Sequence, residues 1–362
     1  MKNSPGFFTP TILDVEKISG VSRSTVSRYL NGKSVKADNR SKIELAIEEL
    51  KFQKNPLASG LKSNKTFTVG VVMPDITDPF FPMIIRAFQK SMLENGYQTI
   101  LNTYGNDEAL EAEQVKTLVN KRVDGLMIAS ASKEGAHIRN CLQGKLPVVL
   151  VDRLIEGLEC DSVSVDNYNA VFDAISLAIR KGHTKIGYVR GPEVYTDVIR
   201  FKGYVDALSK NTIPFRKEYV VRADLVEHDA ARQFMRLMNL PDPPTVIFCS
   251  NVYLAIGGFE AVLEYRIRIP EEVSIMAFDR LSSFPYYSFA RSFDPEFSSI
   301  QQPLKDIGEK TAEVLLKRIS FGMENYEAMN VVLKTSFYMT HSVADLAANG
   351  SMSSGVNKKE VP

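Results

Sequence analysis

Residues 11–31 read T-I-L-D-V-E-K-I-S-G-V-S-R-S-T-V-S-R-Y-L-N, two short helices joined by a glycine-bearing turn. Thr11 and Asp14 have the spacing at which two side chains satisfy the free amides that open a helix. Val15 and Ile18 repeat at helical spacing, and Gly20 supplies the left-handed conformation that ends the segment. Ser22 is placed to cap the second helix, with Val26, Tyr29 and Leu30 on its buried side. Arg23, Ser24, Ser27 and Arg28 then share the opposite face. Short hydroxyls and forked guanidiniums suit base edges and phosphates in a DNA groove. The alternative is two surface helices of an ordinary bundle, and the rest of the chain weighs against it.

Charge is one such weight. The 362 residues sum to only +1, yet residues 1–65 hold 12 Lys+Arg against 6 Asp+Glu, and the remainder 32 against 37. A basic head on a mildly acidic body is the footprint of one end meeting a polyanion. Hydrophobic content of 44% and charged content of 24% are ordinary for a globular protein of two or three domains. The sequence has no apolar run of membrane-spanning length and no signal-peptide core. Cys141, Cys160 and Cys249 are few, scattered and odd in number, which suits buried free thiols in a reducing cytoplasm.

Residues 1–10 read as a loose tail, and a third helix is expected over 39–50, with Ile43, Ala46, Ile47 and Leu50 as its apolar stripe. Residues 63–66 form a polar linker. From Phe67 the texture becomes a regular α/β alternation. Strands are expected over 67–73, 97–103, 123–129, 147–151 and 161–165, then over 185–190, 218–221, 244–249 and 272–278. Helices are expected over 79–95, 107–121, 167–181, 199–210, 229–239, 252–265 and 303–320. Two such series imply two doubly wound lobes, with ligands in the crevice at the strands' carboxyl ends.

These residues together resemble the lactose/galactose repressor family of bacterial transcription regulators. The head-piece signature T-I-x-D-V…S-G-V-S-x-x-T-V-S-R-x-L-N continues through Val35, Arg40, Ile43, the A-I-E-E-L run at 46–50, Asn55, Ala58 and Leu61, and similarity extends to residue 342. The resemblance implies an α/β fold: a two-lobed, doubly wound, periplasmic-binding-protein-like effector domain behind a small all-α helix-turn-helix head and hinge helix. The expected divisions are a DNA-binding head over 1–54, a hinge and linker over 55–66, an effector and dimerisation domain over 67–342, and a disordered tail over 343–362. Three crossings between lobes would give lobe 1 residues 67–165 plus 296–325, and lobe 2 residues 166–295 plus 326–342. The expected partners are operator DNA, a small sugar-type effector and a second copy of the chain, in the cytoplasm at the nucleoid and without a membrane. The final residues hold no heptad run that would join dimers into a tetramer.

Carried over position by position, Arg23, Ser24 and Arg28 stand where recognition-helix side chains meet bases. Thr11, Ser22, Thr25, Ser27 and Asn31 stand where phosphates are held. Asn55, Ala58 and Leu61 match the hinge, with Leu61 in the place of a leucine wedge for a minor-groove step. Three departures follow. Ser59 replaces an arginine, Gly60 costs a short helix on the order of 1 kcal/mol relative to Ala, and Lys51 replaces a glycine, implying a strained left-handed residue or a different cap.

For the crevice, the matching positions are Phe80 and Phe81 after Asp78, Arg153 in V-D-R, Asp166 in V-D-N, Arg200 in R-x-x-G-Y, Phe248, Asn251, Asp279 in A-F-D-R and Gln302. Arginine and aspartate fix vicinal hydroxyls, and aromatic faces cover a sugar ring. Val252 stands where the family often has aspartate. Arg190 and Arg280 lie beside strand ends, so with Arg153 and Arg200 a net positive crevice and an anionic effector are expected.

No cofactor is expected. G-K-S at 32–34 is not a phosphate loop, because Ser27 stands where its first glycine belongs. Paired CxxC, HExxH and GxSxG are absent from the sequence, and His183 in K-G-H-T-K reads as structural. A stand-alone sugar-binding protein would lack the basic head, and an enzyme such as a sugar kinase would need a catalytic constellation. An effector-controlled repressor fits best.

Overall fold

The computed structural model describes residues 10–30, 32–52, 65–224, 228–324 and 326–348. They divide into two compact units, one up to Phe67 and the other from Thr68.

The first unit contains three helices, α1 (Ile12–Ser19), α2 (Arg23–Leu30) and α3 (Ala37–Leu50). They close over Val15, Val21, Val26, Ile43 and Ala46, with Tyr29, Leu30, Ile47 and Leu50 packed around them. The Asp14 carboxylate accepts from the Thr11 amide at 2.8 Å and the Thr11 hydroxyl at 2.7 Å. These bonds hold its pKa below the ordinary carboxylate value. Gly20 takes φ 65° and ends α1. Lys51 is left-handed, with φ 48° and ψ 38°, so of the two options its sequence left open, the strained conformation is the one adopted.

The second unit contains two six-stranded sheets. In lobe 1, β1 (Thr68–Met73), β2 (Gln98–Thr103), β3 (Leu126–Ile128), β4 (Val148–Val151) and β5 (Asp161–Val165) are joined by β11 (Asn330–Leu333) in the order β11-β5-β4-β3-β1-β2, all parallel. In lobe 2, β6 (Ile186–Arg190), β7 (Val220–Arg222), β8 (Val246–Cys249), β9 (Ser274–Phe278) and β10 (Ser298–Gln301) follow the same order, with antiparallel β12 (Ser336–Tyr338) at the edge. The near-continuous burial of β1, β4, β8 and β9 reflects sheets covered on both faces. The covering helices are α4 (Phe80–Glu94), α5 (Glu108–Asn120), α6 (Ala136–Gln143), α7 (Asn167–Arg180), α8 (Tyr195–Lys210), α9 (Asp229–Met238), α10 (Val252–Tyr265) and α11 (Leu304–Phe321).

Two lobe assignments differ from expectation. Strand β10 pairs in parallel with β9, Ser298 opposite Met276, so it belongs to lobe 2 and not to the lobe 1 stretch 296–325. The loop after β9 returns to that strand's open side, and local pairing wins. Strand β11 pairs with β5 of lobe 1, Asn330 opposite Ser162, although 326–342 was expected in lobe 2. The crossings therefore fall after β5, after β10, and between β11 and β12.

The expected disordered tail also starts too early. Val343 is buried, the Ala344 amide donates to Ser274 Oγ at 2.9 Å, and the Leu346 and Ala347 amides donate to the Lys181 carbonyl. The apolar V-A-D-L-A-A stretch docks before the Gly/Ser-rich residues begin, and 349–362 lie outside the described residues. His183 is structural as read, 1% exposed between Thr245 Oγ1 and the Ala344 carbonyl. All three cysteines are buried and free.

Candidate functional site

On the head, Val26 is fully buried while Ser22, Arg23, Ser24 and Arg28 are exposed, and Thr25 and Ser27 are half-buried. Helix periodicity thus turns one donor-rich face of α2 to solvent. The N-terminus of that helix is held by a residue the sequence reading missed: Glu16 Oε1, on α1, accepts the Arg23 amide at 2.7 Å. Ser22 Oγ lies 3.1 Å from both Ser24 Oγ and Thr25 Oγ1. The Arg28 guanidinium donates to the Ser34 carbonyl at 3.1 Å, which steadies it beside the turn. Thr11 is exposed, its hydroxyl engaged by Asp14. Asn31, Asn55, Ala58 and Leu61, and with them the expected hinge helix, lie outside the described residues.

In the second unit, loops at the carboxyl ends of both sheets enclose an inner pocket with ≈ 70 Å³ of solvent-accessible space. Phe80, Phe81, Arg153, Arg200, Asn251, Asp279 and Gln302 line it. Phe80 and Phe81 meet edge to face at 5.1 Å between ring centroids. Arg153 Nη1 donates to Asn106 Oδ1 at 2.7 Å, and its guanidinium lies 5.7 Å from the Phe81 ring centroid. Arg200 is 5% exposed, donating from Nε to Asn167 Oδ1 at 2.7 Å and from Nη1 to the Ser250 carbonyl at 2.8 Å. Its guanidinium sits 3.4 Å from the Phe278 ring centroid. Asn251 caps α10 through the Leu254 amide, and Gln302 Nε2 donates to Asp279 Oδ1 at 2.8 Å.

Two expected lining residues do not reach this pocket. Asp166 is exposed and caps α7 by accepting the Asn169 amide at 3.0 Å. Phe248 is wholly buried in β8, stacked at 5.5 Å on Tyr188, because strand alternation points it into the sheet packing. In their place stand groups not selected from sequence, chiefly Asn106, Asp152 and Asp197, together with Asp78. Asp152 and Asp279 take left-handed conformations, φ 63° and φ 75°, just past β4 and β9, which occupy matching places in the two sheets. The repeated V-D-R and F-D-R triplets carried that signal.

The expected positive crevice is not formed. Arg190 donates to Asp197 from Nε at 3.0 Å and lies over Phe201, while Arg280 pairs with Glu296 at 3.0 Å and stacks on Tyr338. Two arginines, Arg153 and Arg200, therefore face four aspartates, Asp78, Asp152, Asp197 and Asp279. Burial pushes Asp78 up to about 6 against the pull of the Phe80 amide and Arg153. Burial likewise pushes Asp279 up to about 6, opposed chiefly by Arg200. Asp152 and Asp197 are raised by burial too, each partly offset by neighbouring arginines. Arg153 Nε, Asp197 Oδ1 and Gln302 Oε1 are buried without a hydrogen-bond partner in the protein. Among the described residues, no cluster of His, Cys, Asp or Glu is arranged to hold a metal, and no helix is long and apolar enough to cross a membrane.

Residues 11–55 match the family model for bacterial regulatory proteins of the lacI family, and residues 66–342 match that for periplasmic binding proteins and the sugar-binding domain of the LacI family. The HTH-type transcriptional repressor CytR of Escherichia coli (strain K12) is 31% identical over 313 residues, 85% of this chain and 89% of that protein. Catabolite control protein A of Priestia megaterium is 31% identical over 312 residues, 85% of this chain and 92% of that protein. Among solved structures, a lac repressor dimer bound to operator and the anti-inducer ONPF superposes with a TM-score of 0.79 at 21% identity, covering 93% of this chain and all of that one. A complex of the transcriptional regulator CelR with cellobiose gives a TM-score of 0.66 at 25% identity, covering 92% of this chain and 99% of that one. The chain belongs to the LacI family of bacterial regulatory proteins and is a DNA-binding transcriptional repressor.

Proposed function

We propose that operator binding by this repressor is controlled by a small, neutral, polyhydroxylated ring held between the two lobes. The observation that carries the reading is the set of unpartnered buried atoms on residues that line the pocket: one donor, Arg153 Nε, and two acceptors, Asp197 Oδ1 and Gln302 Oε1. Buried polar groups are ordinarily paired, so a ligand offering both donors and acceptors completes them. Hydroxyls do both. With Arg190 and Asp197 paired, the three remaining aspartates against two arginines disfavour a carboxylate or phosphate, and Phe80 and Phe81 offer apolar faces to a ring. A relative solved with cellobiose supports a carbohydrate class.

On the head, Arg23, Ser24 and Arg28 read base edges, the arginines favouring guanine. Thr11, Ser22, Thr25, Ser27 and Asn31 hold phosphates, and Asn55, Ala58 and Leu61 form the hinge contacts. Two heads of a homodimer then meet adjacent half-sites. The ligand changes operator affinity by binding two lobe arrangements unequally.

Selection of bound sequences from a randomised duplex pool tests this reading, run with neutral sugars and with their acid and phosphate counterparts. The expected product is a near-palindrome with a central pyrimidine–purine step, whose occupancy a neutral sugar changes. Response to acids or phosphates alone refutes the neutral ligand, and absence of enrichment refutes sequence reading by the head.

A further inference from the structure

The turn between α1 and α2 is gripped at both ends by one residue, Glu16. Its carbonyl accepts the Gly20 amide at 3.0 Å and closes α1. Its carboxylate, through Oε1, accepts the Arg23 amide at 2.7 Å and opens α2. Between these two bonds the Val21 amide donates to Ser19 Oγ at 3.2 Å. The backbone and side chain of Glu16 together therefore fix where the first residue of α2 stands relative to α1.

Helix α2 needs such a hold. It has eight residues, a length at which isolated helices are marginal, and no acidic side chain in its first turn to answer the positive end of its dipole. Ser22, the expected cap, turns its hydroxyl to Ser24 Oγ and Thr25 Oγ1. Its carbonyl accepts the Thr25 and Val26 amides at 2.8 and 3.0 Å. The Arg23 amide, at the first helical position, goes instead to Glu16, and an ionised acceptor makes that bond roughly twice as strong as a neutral one. The two arginines of the exposed face thus have separate anchors: Arg28 is steadied by the Ser34 carbonyl at 3.1 Å, past the far end of α2, and Arg23 by Glu16.

We propose that Glu16 is a positioning residue for Arg23, so that preference at one operator base pair depends on a carboxylate that makes no base contact of its own. The inference rests on the reading above that Arg23 meets a base edge. Without the Glu16 bond the first turn of α2 frays and must be ordered again when Arg23 engages. The correct base requires that turn in place, because a bidentate contact forms only from a fixed geometry. At a wrong base no such contact forms, and the turn stays frayed. The ordering cost therefore falls on the correct base alone, and discrimination drops. Contacts made through Arg28 keep their own anchor and are spared.

The test uses the full chain. Bound sequences are selected from a randomised duplex pool, and single-base variants of the selected duplex are then titrated by anisotropy at fixed salt. Arg23→Ala and Arg28→Ala identify the base pair that each arginine reads, where the unsubstituted chain is expected to discriminate by roughly tenfold to a hundredfold. Glu16→Ala should lower discrimination at the Arg23 base pair about fivefold and leave the Arg28 base pair as sharp as before. Two further variants separate reach from charge. Glu16→Gln keeps the length and an acceptor oxygen and should retain the preference, while Glu16→Asp keeps the charge, falls one methylene short and should lose it. If Glu16→Ala loses the helices of the head by far-UV dichroism, the contrast between Gln and Asp decides alone. Equal relaxation at both base pairs overturns the proposal, since it marks a general weakening of the head. Loss of the preference in Glu16→Gln, or its retention in Glu16→Asp, overturns it too. If Arg23→Ala relaxes no base pair while Arg28→Ala does, the base-reading role of Arg23 fails, and this inference with it.

Discussion

Replacing Arg200 by methionine should weaken the second unit by about 4 kcal/mol at pH 8 and by roughly half as much at pH 5. The side chain makes two hydrogen bonds, to Asn167 and the Ser250 carbonyl, at 2.7 and 2.8 Å. Each is a bond from a charged donor, worth about 1.5–3 kcal/mol, and the desolvated contact with the Phe278 ring adds about 2 kcal/mol. Apolar packing by methionine returns part of this. The pH dependence comes from the carboxylates: Arg200 is the leading influence holding Asp152 and Asp279 toward their charged forms. Asp279 already titrates near about 6, above its ordinary value of 3.8. A raised carboxylate pKa means that the native state holds the proton more tightly than the unfolded chain. Stability from such a group is full at acid pH and lost as pH rises through the folded value. Without the guanidinium the folded value climbs further, so the variant's deficit grows between pH 5 and 8. The sequence has no tryptophan, so urea unfolding followed by tyrosine fluorescence and far-UV dichroism is the assay. A deficit under 1 kcal/mol, or one independent of pH, would refute the reasoning.

Three further outcomes are expected. Gly308→Ala places a Cβ 2.4 Å from the Ile84 carbonyl oxygen and 2.7 Å from Ala87 Cβ, so despite better helix propensity it should lower the urea midpoint by the equivalent of about 2–3 kcal/mol. Lys51→Gly relieves a left-handed lysine and should raise head stability by about 1 kcal/mol, read as slower amide exchange in α3. Arg28→Ala should cost about 1–3 kcal/mol of operator affinity and relax preference at one base pair, measured by anisotropy on operator variants at fixed salt.

The parts legible in the sequence were those set by local periodicity. Helical spacing of Val15 and Val26 fixed the head, and β-branched runs fixed the two doubly wound sheets. Partner choice was not local: nothing in S-S-I-Q at 298–301 says that β9, and not a strand of lobe 1, lies beside it. Helix α6 was missed because only Ile138, Cys141 and Leu142 mark its apolar side, and its opening Gly135 reads as a loop. In the crevice, position along the chain predicted Arg153, Arg200 and Gln302, but not the pairing state of a cation. Arg190 and Arg280 sit at strand ends like the lining Arg153, yet each meets a carboxylate outside its own strand. Phe248 failed for the plainer reason that one strand residue in two points away from any given face.

How a ligand here can act at a distance follows from where the crevice hydrogen bonds stop. Arg153 bonds Asn106 within lobe 1. Arg200 bonds Ser250 and Asn167 within lobe 2, and Asp197 holds Arg190 of the same lobe. Gln302, on the second crossing, bonds Asp279 at the end of β9. The hydrogen bonds these side chains make thus stay on their own side of the crevice. Between the lobes act longer-range forces of opposite sign, Arg200 drawing Asp152 while Asp78 and Asp279 repel. Attraction and repulsion thus both act across the crevice. A ring that hydrogen-bonds Arg153 Nε on one side and Asp197 Oδ1 on the other makes both bonds only where the lobes stand at its own width. Its binding energy is then differential between lobe arrangements, and that difference is all that control of the head requires.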